Sequence, residues 1–276
     1  MRSLVLVFFL TFALNVNATE KKEIDALIKS LPAGMVEKLM ADAVESSISE
    51  SNLTGQYEIT YREKITKLFG HPEYQRGMAI RAVKHVKNKT SPEAKRLAGR
   101  KFAQAIRDFG FKFSTAEELV IHHDLITKIL TKSSESECAQ IIKKQPPDLK
   151  KGNRSLVEIA SELPIKDFES WLKVSFAGQY RALDREKMRV KVSDEDSKKY
   201  SKAYYITYLK YLKSEPGALD RFRSVMSAGF AESSDADVCR VGREMLGVMS
   251  AFKGVHKEKV IQSFVEGSLS ADKIKK

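Results

Sequence analysis

Apolar residues recur at every third or fourth position along most of this chain, and strict alternation with polar residues is rare. Ala94, Ala98, Phe102, Ala105, Ile106, Phe109 and Phe113 make one such series. A period near 3.6 predicts helix almost throughout. The pattern predicts an all-α protein of about ten helices in one multi-helix globular domain, with breaks where the local chemistry demands them. Gly70 before His71-Pro72 stops one helix, and Glu215-Pro216-Gly217 stops another. Ser114-Thr115-Ala116-Glu117 reads as a capping box opening a helix over 115–132. Further helices are expected at 32–50, 72–87, 92–112, 153–163, 165–190, 194–213, 217–230, 236–250 and 254–267. Gln145-Pro146-Pro147 is the strongest breaker, so 146–152 is the natural place for a sub-boundary within the domain.

The first eighteen residues break the pattern. Arg2 is followed by an apolar run from Leu4 to Leu14, then polar residues and Val16-Asn17-Ala18. A short basic start, a brief apolar core and small residues before a cut describe a secretory signal peptide, removed after Ala18. The run is too short to span a bilayer, which takes about twenty apolar residues. Residues 1–18 are therefore expected to be a signal peptide and 19–276 a helical domain. The location expected is periplasmic or secreted, not integral to a membrane.

Export makes the two cysteines interpretable. An oxidising compartment favours disulfides, and the one intramolecular bridge that two cysteines allow is Cys138–Cys239. Both follow serines and acids, SSESEC and SSDADVC. Such residues cap the free N–H groups of a first helical turn and suit its positive end. The expected bridge would pin two helix starts together across the Pro146-Pro147 break.

Charge adds the functional expectation. The chain carries a formal net charge of +12. Between Arg76 and Lys112 stand eleven basic residues against Glu93 and Asp108, a local excess of +9. Arg76, Arg81, Lys84, Lys87, Arg96, Arg100 and Arg107 fall opposite the apolar faces of two predicted helices. Two basic helical faces in succession suit an acidic protein or an anionic envelope component. The expectation is an exported, non-enzymatic binding protein, such as an immunity or inhibitor protein. No nucleic-acid partner is expected, since export and the lack of a nucleic-acid motif argue against one.

Chemistry is sparse. There is no GxSxG, HExxH or GxGxxG, and Gly242 and Gly247 have phosphate-loop spacing but are followed by Val248. No cofactor is expected. His122-His123 are adjacent, about 100° apart on a helix, so they do not chelate one ion together. Glu118 and His122 share a face at i, i+4 and form a possible half of a metal site. Tyr200, Tyr204, Tyr208 and Tyr211 line one side of a helix and read as core edge, as does Trp171 with Phe168 and Leu172. Asn52, Asn88 and Asn153 each open an Asn-X-Ser/Thr triplet.

Glu45-Ser46 on a predicted helix, followed by Gly55-Gln56, resembles the catalytic Glu-Ser and downstream glycines of goose-type lysozymes and lytic transglycosylases. The resemblance implies an exported helical glycoside hydrolase of the cell wall with Glu45 as general acid. It covers only this short stretch, and SNLTGQYEIT stands where the family has a Gly-Leu-Met-Gln-like segment. A third reading, a carrier with an apolar ligand among its helices, has no residue-level signal.

Overall fold

The computed structural model describes residues 34–87, 106–145, 152–190 and 192–270, with the isolated positions 26, 91 and 103. Residues 80–87 and 267–270 are described as helical backbone alone. The expected signal peptide, the Pro146-Pro147 break, Asn88, Arg96 and Arg100 lie outside the described residues. Within them every element is helical, with no strand. The helices are α1 (Met35–Ser49), α2 (Gly55–Phe69), α3 (Pro72–Lys87), α4 (Ala116–Lys132), α5 (Glu135–Ile142), α6 (Leu156–Ala160), α7 (Ile165–Leu183), α8 (Asp194–Ser214), α9 (Ala218–Ala228), α10 (Asp235–Ala251) and α11 (Gly254–Ser270). A 3-10 turn covers Phe111–Phe113, and none of the described helices is long and apolar enough to cross a membrane.

Side-chain caps set the starts of α4, α5, α6, α8 and α10. Thr115 Oγ1 accepts the Glu118 N–H at 3.1 Å while Glu118 Oε2 accepts the Thr115 N–H at 2.8 Å. The box at α4 is thus one residue later than the Ser114–Glu117 spacing suggests. Ser114 stays extended and buried instead. Ser134 with Glu137 and Ser155 with Glu158 build the same reciprocal box at α5 and α6. Each satisfies two N–H groups that a helix start leaves free.

Two large apolar clusters dominate the interior, with three smaller ones beside them. The first joins α1, α2, α4, α6 and α7 around Ile65, Ile129, Ile159, Phe168 and Leu172. The second joins α8, α10 and α11 around Tyr208, Leu212, Val248 and Val260. Three features tie them. Cys138 and Cys239 pack on Leu130. Leu119 meets Val190 and Ile261. Arg243 donates to Leu130 O at 2.9 and 2.6 Å and to Ser133 O at 2.6 Å, covering the carbonyls that the end of α4 leaves open.

The helix expected over 153–163 is confined to Leu156–Ala160, and two further elements differ from the expected pattern. The helix expected over 165–190 ends at Leu183. Arg185 takes a positive φ of 58°, and the chain turns back so that the N–H groups of Arg189 and Val190 both donate to Lys112 O. The helix expected through Lys112 tightens at Phe111–Phe113 into the 3-10 turn. That turn fits against α7 because two glycines meet there. A Cβ on Gly178 would collide with Gly110 O and lie 2.7 Å from Ser114 Oγ. Backbone cannot yield as a flexible side chain can. Gly178→Ala is expected to cost about 1–3 kcal/mol or more, read as a lower urea midpoint at unchanged slope.

Candidate functional site

The cysteine pair is bridged as expected. Cys138 and Cys239 are joined with a Cα–Cα distance of 5.3 Å and both are fully buried. Cys138 lies on α5 and Cys239 on α10, each near a start capped by serine, Ser134 for one and Ser234 for the other.

An ion pair with a buried carboxylate stands beside this bridge, one that local sequence reading does not find. Glu137 is 4% exposed. Its carboxylate takes the Arg154 N–H at 2.9 Å, Arg154 Nε at 2.8 Å and Arg154 Nη2 at 3.1 Å. It also takes the Ser134 N–H at 2.8 Å. These donors, Arg154 foremost, hold the Glu137 carboxyl down to about 2. Arg154 reaches on to Glu162 and to Lys132 O. Asn153 is buried alongside, with Nδ2 donating to Ser136 Oγ at 2.9 Å. Of the Asn-X-Ser/Thr triplets, Asn52 is exposed in the turn between α1 and α2, whereas Asn153 is spent on this network.

The residues picked out for catalysis and metal binding have structural partners. Glu45 is exposed and pairs with Arg62 at 2.5 Å, and Arg62 also holds Glu58 at 3.0 Å. A glycosidase general acid takes its proton affinity from apolar enclosure; Glu45 faces water and a guanidinium. Burial works against the charge on Glu118, yet Arg181, at 2.7 and 2.5 Å, and the Thr115 N–H keep its carboxyl below the usual range. His122 packs edge-on to Phe111 at 4.8 Å between centroids. Burial, then the nearby His123 and Arg107, lower its pKa to about 4, so it is neutral at pH 7. Among the described residues no three His, Cys, Asp or Glu side chains converge as metal ligands.

The expected basic face is described in part. Arg76 and Arg107 are half-buried, and Arg107 lies within electrostatic reach of Tyr61 and His122. Arg81, Lys84 and Lys87 are on α3, which is described there as backbone alone.

A second cationic surface stands on α8. Tyr204 and Tyr208 are buried, at 5% and 2% exposed. Tyr204 packs edge-on to Phe264 at 4.6 Å and Tyr208 to Phe222 at 5.3 Å. The tyrosine stripe is therefore core, and it fixes which way the helix faces. Lys198, Lys199, Lys202, Lys210 and Lys213 are exposed on the outer side, with Tyr205 and Ile206 at 54% and 43% exposed. No acid occurs from Ser197 to Ser214, and none of the five lysines makes an ion pair among the described residues. No family model, curated protein or solved structure matches the chain.

Proposed function

We propose that this is an exported, disulfide-braced, non-enzymatic binding protein that holds an acidic partner on its cationic helical surfaces. The observation that carries the reading is the outer side of α8, five exposed lysines with no acid from Ser197 to Ser214, beyond an acidic first turn at Asp194–Asp196. Several charges elsewhere are paired. Glu45, Glu118 and Glu137 each hold an arginine, and Asp124 holds Lys257 at 2.6 Å. Cations left unpaired in such a molecule are available to a partner, and they strengthen encounter with one of opposite charge. The excess of +9 over 76–112 is a second cationic region of the sequence. Export is supported by the apolar run at Leu4–Leu14 and by the buried bridge, since stable disulfides belong to oxidising compartments. An acidic protein or an anionic envelope component fits both regions.

Retention of the purified protein on polyglutamate-coupled resin tests the reading. Binding at about 0.05 M salt should weaken steeply towards 0.5 M, as screening shortens from roughly 14 Å to 4 Å. Lys202→Glu, Lys210→Glu and Lys213→Glu together should lower retention at least tenfold, and Arg96→Glu with Arg100→Glu should lower it further. Retention that ignores both salt and charge reversal would contradict the proposal.

A further inference from the structure

We infer that the outer face of α8 docks on an anionic lipid surface, an assignment that rests on the cationic-surface reading above and names its partner. Lys198, Lys202, Ile206 and Lys210 follow one another at i+4, and Lys213 follows at i+3, so they share one side of the helix, which is cationic from Lys198 onward and begins a turn earlier with Asp194. That side spans about 22 Å at 1.5 Å per residue. Tyr205 and Ile206 sit between Lys202 and Lys210, exposed at the middle of the row. Cations at both ends with an aromatic and an aliphatic side chain between them suit an anionic headgroup layer, with two side chains to anchor at its apolar boundary. The lysine stems follow the apolar boundary while their ammonium groups reach phosphate. Tyrosine suits the same depth, with its ring in the acyl boundary and its hydroxyl among headgroups.

The choice of lipid over a folded acidic protein follows from three features. All five cations are lysine, and none is arginine. Lysine is a point charge that needs no fixed orientation of the anion, whereas arginine's planar fork rewards a carboxylate or phosphate held in one geometry. The spacing along the row is uneven, with no cation from Ala203 to Leu209. Headgroups that diffuse laterally accommodate uneven spacing; a rigid partner needs matched acids. Finally, the face cannot turn inward to hide Tyr205 and Ile206. Its opposite side is locked by Tyr204, whose hydroxyl donates to Met245 O at 3.3 Å, and by fully buried Leu212.

Sedimentation with vesicles tests the assignment, using protein purified from an exporting host. One set of vesicles is pure phosphatidylcholine and the other carries about one-third phosphatidylglycerol. Surface attraction worth about fivefold per lysine predicts roughly hundredfold weaker binding to the anionic set for Lys202→Gln, Lys210→Gln and Lys213→Gln combined. Tyr205→Ser with Ile206→Ser should weaken vesicle binding and leave polyglutamate retention unchanged, which separates membrane insertion from charge. All these side chains are exposed, and circular dichroism should show unaltered helix content in each variant. Equal binding to both vesicle types, or anionic binding untouched by the lysine changes, would overturn the assignment. Binding to polyglutamate without binding to vesicles overturns the membrane partner while leaving the acidic-partner reading intact. Binding to neither overturns both.

Discussion

Replacing Cys138 and Cys239 with alanine should lower the stability of this protein by about 4–5 kcal/mol, the chain-entropy value for a closed loop of roughly one hundred residues. The two cysteines are separated by 101 positions, so cutting the bridge restores to the unfolded chain nearly as much freedom as one disulfide can remove. The native state loses as well, because both sulfurs are fully buried against Leu130, between the two apolar clusters. For a chain of this size, 2–4 °C per kcal/mol implies a melting temperature lower by about 10–15 °C. Thermal melting of the double variant, beside wild type with and without a reductant, reads the effect. A shift of only one or two degrees would mean that the two clusters hold together without the bridge.

The second large effect belongs to Glu137. Its carboxylate is surrounded by Arg154 and by the N–H groups of Ser134 and Arg154. Glu137→Gln leaves the guanidinium without its nearest charge and weakens the box that starts α5. Breaking one partner of a buried pair costs about 3–5 kcal/mol. Arg154 is partly exposed and Glu162 still engages it, so the lower end of that range is expected. Because folding lowers the Glu137 pKa, its contribution is complete above the ordinary carboxylate pKa of about 4.5. It disappears as pH falls towards about 2. Urea midpoints between pH 6 and pH 2 should therefore fall more steeply for wild type than for Glu137→Gln. Parallel curves would show that the pair does not couple protonation to folding.

What the sequence made legible was chiefly local. The serines and acids before Cys138 and Cys239 announced two capped helix starts, the box read at Ser114–Glu117 lies one residue later at Thr115–Glu118, and the box at Ser155 was not read. The cysteine pairing was legible because only one bridge was possible. The early end of α7 was harder to read, because Lys112 O, which receives the Arg189 and Val190 N–H groups, lies far away in sequence. A signal was present even so: Met188-Arg189-Val190-Lys191-Val192 alternates, a period of two rather than 3.6.

The Glu137–Arg154 pair had no such signal. It spans seventeen residues across the Pro146-Pro147 break, and no helical or strand spacing relates its members. The lysine face of α8 was legible but masked. Asp194, Glu195 and Asp196 open the same helix and reduce its five lysines to a net +2 in any window count. Those acids belong to the helix start, where the dipole favours them, while the lysines occupy the outer side beyond.

The most direct test is mass spectrometry of the protein taken from its native source and alkylated without reduction. A chain beginning at Thr19, with Cys138 and Cys239 unlabelled and joined, is the predicted result. A chain that retains Met1 and carries the label on both cysteines would contradict an exported protein held by its bridge.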